Sequence, residues 1–234
     1  MVPRRRGKKP GNPASSVYGR AGVRKIPRSR RSATGAFWSL KNRDLVPFES
    51  SLERDLLMLL EFEDYVSGYE AQPVRFRYRA ASGRKTSGVI DLALEHNGER
   101  FAYVDVKFRR EIVHYWQRLK ARFSGARDHA DSENRDYFIR TEKHIRTQYM
   151  LNRRFLYPFL KRAANPDHIS ILVKSLSSGA MSVADLLNKC AADRELQSEI
   201  VPTLWHCVAT GQFQCDNTKP ITLDTKVWIA DRLE

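Results

Sequence analysis

Cysteine is scarce in this chain and long apolar runs are missing. The three cysteines in 234 residues, Cys190, Cys207 and Cys215, are widely spaced and odd in number. They form no C-x-x-C pair, which argues against a zinc module and a disulfide scaffold and leaves reduced structural thiols in a cytosolic protein. The longest apolar runs, such as residues 56–60, fall far short of the roughly 20 residues a membrane span needs. No apolar segment follows the basic N-terminus, so no secretory signal is expected. These shortages point to a cytoplasmic protein with no membrane partner. A hydrophobic fraction of 41% still allows a sizeable core, and the length suits one medium domain, or one domain with a small appendage.

Acidic residues are nearly absent from the first 48 positions, which hold 13 Lys and Arg against Asp44 alone. The rest of the chain is close to balanced, with 28 basic and 26 acidic residues. Most of the net charge of +14 is therefore an arm, residues 1–45, rich in Pro, Gly and Ser and poor in large apolar side chains. Such a segment buries too little surface to order itself. It can neutralise phosphates and release counterions, giving sequence-blind affinity for nucleic acid. Arg24, Lys25, Arg28, Arg30, Arg31 and Lys41 are its candidate contacts.

The first helix signal is ESSLERDLLMLLEFEDY, with Ser50 as N-cap and Glu53 at N3 of a capping box. Its apolar arc leaves a narrow polar sector for Arg54 and Glu61, so the helix is mostly buried. Glu53 and Asp55 both project into the apolar arc. PVRFRYR alternates as a half-buried strand with Arg75, Arg77 and Arg79 on one face. Arg75 and Arg77 could track phosphates there, and Gln72-Pro73 opens the strand. GVIDLAL and RFAYVDVKF flank Asn97-Gly98, a strong hairpin signal. An amphipathic helix over EIVHYWQRLKARF, a strand over RDYFIRT and a basic helix over residues 142–162 complete a mixed α/β domain, residues 46–163. Trp116 and Trp205 are expected in the core. Residues 164–234 read as three short helices and a two-stranded wing, the order of a winged helix-turn-helix. The segment LQSEIVPTLWHCVATG has no Lys or Arg, so a protein contact suits it better than base reading.

Phosphodiester hydrolysis needs an activated water and charge stabilisation, which one or two Mg²⁺ ions supply. Asp105 and Lys107 share one face of one strand, because side chains there repeat every two residues. Asp91 on the neighbouring strand is a second carboxylate, and Glu53 a third. A D…D-x-K pattern alone fits an ordinary charged hairpin as well. Two features favour chemistry: Asp105 lies in an otherwise apolar strand, and Glu53 in an apolar helical arc, where lone carboxylates are expensive. A regular two-residue turn with an unbroken ladder would put Asp91 and Asp105 on opposite faces. A shared site therefore requires an odd loop or a bulge in the Asp91 strand.

The ordered phrases RKIPRSRRSATGAFWSLKNRDLVPFESSLERDLLMLLEFEDYV, YEAQPVRFRY, YVDVKF, YFIRTEKHIR and LWHCVATGQFQCDNTKPITLDTKVWI resemble TnsA-type endonucleases over roughly residues 24–234. These are the restriction-endonuclease-like subunits of heteromeric cut-and-paste transposases. The resemblance implies a restriction-endonuclease-like catalytic domain, a mixed sheet flanked by helices, plus a small C-terminal winged-helix-like domain. It implies a metal site of Glu53, Asp91 and Asp105, with Lys107 as the catalytic lysine. The family's proline before the strand aspartate is absent here, replaced by Val89-Ile90, and its commoner Glu is Asp105. The implied reaction is Mg²⁺-dependent nicking of the 5′ strands at transposon ends, with Mn²⁺ as a substitute metal. The implied partners are double-stranded DNA, a DDE-type TnsB-like transposase and an AAA+ TnsC-like regulator, in the nucleoid of a prokaryotic cytoplasm. The other readings are a stand-alone restriction or repair endonuclease, and a non-catalytic DNA-binding adaptor.

Overall fold

The computed structural model of the chain describes residues 33–230. Arg24, Lys25, Arg28, Arg30 and Arg31 lie outside them, with most of the expected arm. The stretch of arm inside them is folded: β1 (Gly35–Ser39) and β2 (Asp44–Phe48) form an antiparallel hairpin, so regular structure begins ten residues before the expected boundary at 45. Phe37, Val46 and Phe48 supply apolar surface to the core, which a Pro-Gly-Ser arm lacks.

Ser50 caps α1 (Ser51–Leu60) by accepting from the Glu53 N–H, as expected, but the Glu53 carboxylate reaches past the cap. It accepts from the Glu49 N–H at 2.8 Å and from the Ser50 hydroxyl at 3.0 Å rather than from the Ser50 N–H that a full capping box would use. Beyond α1 run β3 (Gly68–Ala71), β4 (Arg75–Arg79), β5 (Lys85–Val89), β6 (Leu92–His96) and β7 (Glu99–Val106). Then come α2 (Arg109–His114), α3 (Trp116–Ser132), β8 (Asp136–Arg140), α4 (Glu142–Ile145) and α5 (Gln148–Leu160). The main sheet has the order β3-β6-β7-β8, antiparallel except for the parallel β7–β8 pair, and β4–β5 is a separate two-stranded sheet.

The period-two alternation of β6 and β7 divides the core. Leu92, Leu94, Ala102, Val104 and Val106 meet α1, while Ala93 and Tyr103 meet α3 and β4. Helices therefore cover both faces of a mixed sheet. Two expected helices are broken. The first breaks at Tyr115, where φ is −109° and ψ 24°, leaving Trp116 47% exposed rather than in the core. The second breaks at Arg146-Thr147, because Thr147 caps a new helix through the Met150 N–H.

The remaining elements are α6 (Pro166–Leu176), β9 (Met181–Ser182), α7 (Val183–Cys190), α8 (Arg194–Ala209), β10 (Phe213–Cys215) and β11 (Lys226–Ile229). They form three helices and an antiparallel sheet of order β10-β11-β9, one strand more than expected. Trp205 is buried among them, as expected. This unit is not separable after residue 163, because α5 serves two cores. Met150 belongs to the α1 side, and Leu156 to the C-terminal side. Asn152, 2% exposed, donates to the Asn217 and Lys219 carbonyls and accepts from the Ile221 N–H. No helix among the described residues is long and apolar enough to cross a membrane.

Candidate active site

The hairpin turn is the regular two-residue kind, with His96 opposite Glu99 and positive φ at Asn97 (51°) and Gly98 (82°). The ladder above it is broken. Glu95 pairs Arg100 but Leu94 pairs Ala102, so Phe101 is an extra residue. The bulge thus lies in β7, not in the Asp91 strand where it was expected. It moves the register by one and brings Asp91 level with Asp105. The Asp91 N–H donates to Asp105 Oδ1 at 3.4 Å.

Asp91 itself stands outside any strand. The chain leaves β5 at Val89 and enters β6 at Leu92, and Ile90, fully buried, fills the crossing between the two sheets. The Ile90 N–H donates to the Val74 carbonyl at 3.2 Å, and the Gln72 N–H donates to the Asp91 carbonyl at 2.9 Å. These contacts produce the kink that a preceding proline would have favoured. Asp91 Oδ2 then accepts from the Val106 N–H at 2.8 Å and from Lys107 Nζ at 3.0 Å. Lys107 Nζ also donates to the Val106 carbonyl at 2.9 Å, so one ammonium bridges the Asp91 carboxylate and the end of β7.

Glu53, on α1, lies close enough for the charges of Asp91 and Lys107 to act on it. Burial, and next the Asp91 charge, push its carboxyl up to about 7. Burial draws the Lys107 ammonium down, but Asp91 and Asp105 outweigh it and hold its pKa above the ordinary value. The structure thus brings Glu53, Asp91 and Lys107 together. It also separates Glu53 from Asp55, which points the other way into three arginines.

Asp105 departs from its expected part as a metal ligand. It has no exposed surface, and its two oxygens are taken by both Arg122 nitrogens (Nη2 to Oδ1 at 2.9 Å) and by the Tyr137 hydroxyl. Its parity places it with Tyr103 on the α3 face, where Arg122 waits. Arg122 and Tyr137 were not anticipated; a lone arginine beside Phe123 carries no sequence signal for this contact. Arg122 Nη2 also donates to the Val89 carbonyl at 2.6 Å, tying β5 to the end of β7.

Among the described residues, no group of three His, Cys, Asp or Glu side chains is placed to hold a metal ion. The donors nevertheless suit a hard divalent cation in a smaller set than expected. Glu53 and Asp91 repel each other, and Lys107 is the cation between strands that answers them. With the Val106 carbonyl the two carboxylates offer oxygen donors only, the kind Mg²⁺ takes, although Lys107 occupies that carbonyl and Asp91 Oδ2. Asp105 does not fit this set while Arg122 holds it.

No protein-family model matches this chain, and no curated protein matches it. The meaning of the site therefore rests on its own chemistry.

Other predicted residues fare unevenly. Gln72 does not open the strand: it follows the end of β3, three residues before β4 begins, with φ at 51° and its buried Oε1 lacking a hydrogen-bond partner. Arg75 and Arg77 are exposed on β4. Lys41 is not a free cation for phosphate: its ammonium donates to the Glu63 and Val66 carbonyls, and burial lowers its pKa.

Glu53 carries a stability signature. Its folded pKa of about 7 lies above the ordinary 4.5. The fold therefore binds a proton that the unfolded chain releases, and stability falls as pH rises from 4.5 through 7. Above pH 7 the ionised Glu53 costs about 1–3 kcal/mol. In metal-free buffer, Glu53→Gln should raise the melting temperature at pH 8 by a few degrees and leave it unchanged or lower at pH 4.5. Thermal melts across that range check it, and equal shifts at both pH values would sink it.

Proposed function

We propose that this chain is a metal-dependent DNA endonuclease of the TnsA type, nicking the 5′ strands at transposon ends beside a DDE transposase. The observation that carries the reading is the approach of Glu53, Asp91 and Lys107 at the end of a mixed sheet, where a bulge in β7 sets the register. In this reading the helix-flanked sheet is a restriction-endonuclease-like catalytic domain. The three helices and small sheet after residue 163 are a winged-helix-like domain.

Glu53, Asp91 and the Val106 carbonyl would hold Mg²⁺. When bound, the ion supplies an acidified water and neutralises the phosphate oxygens. Lys107 orients that water or offsets charge on the phosphate, as a fixed donor in a partly buried site. Asp105 has a positioning role: with Arg122 and Tyr137 it fixes the strand end that carries Lys107. The exposed face of the C-terminal unit, poor in basic residues along α8, suits a protein contact with the transposase or the ATPase regulator. The sharing of α5 means that this contact is better tested by surface substitutions than by deleting residues 166–234.

The test is strand-specific cleavage of end-labelled transposon-end DNA with Mg²⁺ and the transposase subunits, against Lys107→Ala. Partner-dependent 5′ nicks that vanish in the variant are expected. Nicks without partners would make it a stand-alone restriction or repair nuclease. Binding with no nicks under any condition would make it an adaptor and overturn the reading.

A further inference from the structure

Asp55 is 2% exposed and is met by three guanidinium groups. Arg54 Nη2 donates to Oδ1 at 2.9 Å and Arg146 Nε to Oδ2 at 2.9 Å, while Arg154 Nη2 lies 3.5 Å from Oδ1. Arg146 and Arg154 arrive from 91 and 99 residues away, so the fold assembles this cluster rather than local sequence.

A buried carboxylate needs one cation. This one has three, and the four side chains together keep a charge of +2. The arginines are 47%, 38% and 51% exposed, so the surplus charge faces solvent. Free arginines lose much rotamer freedom on gripping a ligand; here the carboxylate has already fixed them. Arg54, Asp55 and Arg154, with Phe37 and Met58, line an open cavity of about 370 Å³. Arg146 also donates to Ser51 Oγ at 2.8 Å, and its guanidinium carbon lies 5.4 Å from the centre of the Phe108 ring. Phe108 directly follows Lys107, and Arg54 and Asp55 follow Glu53 on α1, so the cluster is tied to both elements that carry the candidate active site.

We propose that Arg54, Arg146 and Arg154, held by Asp55, form a phosphate-binding site that grips the nucleic-acid backbone flanking the bond to be cut. The choice of nucleic acid as ligand rests on the nuclease reading; the surplus charge and its pre-organisation do not.

The test uses the full-length protein and duplex DNA in Ca²⁺, across a salt series, with Arg54→Gln, Arg154→Gln and the double variant. Arg146 is left in place because it also braces Ser51, and melting curves confirm that each variant is folded. Removing one cation that neutralises a phosphate lowers the slope of log K against log salt by about 0.9. The single variants should each show a drop of about that size, and the double about twice as much. Slopes equal to that of the unaltered protein would overturn the proposal. Equal slopes with abolished transposase pulldown would instead make the cluster a protein contact, which also overturns it. The two readings fail separately. Reduced slopes from a protein that never nicks would keep the phosphate site and remove the nuclease; intact nicking with unchanged slopes would do the reverse.

Discussion

Arg122→Met should destabilise the protein by about 3–5 kcal/mol, the usual result of removing one partner from a buried pair. Asp105 has no exposed surface, so its charge cannot turn to water when the guanidinium leaves. Tyr137 remains as a donor, but one hydroxyl does not replace two charged N–H groups. The variant also frees the Val89 carbonyl, and with it the tie between β5 and β7. For a chain of this size the loss corresponds to a fall in melting temperature of roughly 6–20 °C. Adding Asp105→Asn should restore much of the loss, since no charge is then stranded, and a double-mutant cycle by urea unfolding measures this coupling. A single variant that costs less than about 1 kcal/mol would show the pair to be solvated. A double variant no better than the single would show that Arg122 acts through packing alone.

On the proposed nuclease reading, Lys107→Ala should slow 5′-strand nicking by about 100- to 1,000-fold, the range seen when one fixed donor is removed from a site of developing charge. The ammonium is held by Asp91 Oδ2 and the Val106 carbonyl, 26% exposed, and so is both fixed and reachable. DNA affinity should stay within about threefold, because one phosphate contact among many carries little of the total. Asp91→Asn should reach a similar loss by a different route. It removes a cation-holding oxygen and also one of the two causes that raise Glu53, so the Glu53 carboxyl should titrate lower. Single-turnover nicking with Mg²⁺, gel shift with Ca²⁺ and a thermal melt separate chemistry, binding and folding. Nicking that survives both changes would remove the site from residues 87–110.

Much of this arrangement was visible before folding, because it is local. The Ser50 cap on the Glu53 N–H, the Asn97-Gly98 turn and the parity of Asp105 and Lys107 each depend on residues a few positions apart. Alternation along β6 and β7 assigned the apolar side chains to two faces without any knowledge of what covers them. The three helices after residue 163 were expected from the sequence, and each begins at a local cap, Asn165, Ser182 and Asp193.

What stayed hidden depends on contacts across long separations. Glu61 belongs to the polar sector of α1 by helical angle, yet it is 6% exposed. The hairpin of β1 and β2 lies over it, and Ser39 Oγ, the Leu40 N–H and the Tyr69 hydroxyl satisfy its oxygens. Trp116 shows the opposite error: aromatic character suggested the core, but the break at Tyr115 turned it outward.

The chain's local chemistry set the elements, their faces and the carboxylates worth watching, since caps, turns and periodicity act within a few residues. Packing chose among those carboxylates. Glu53 and Asp55 are two positions apart on one helix, and nothing in their spacing tells which lies by Asp91 and Lys107 and which meets Arg54, Arg146 and Arg154. Asp91 comes level with Asp105 only because one residue, Phe101, bulges out of a ladder whose turn would otherwise set them out of step. Asp105 is an anchor rather than an open ligand because Arg122, on a helix that packs against that face, reaches it first. Charge in a protein interior is settled by which partner arrives, and that is a property of three-dimensional neighbours.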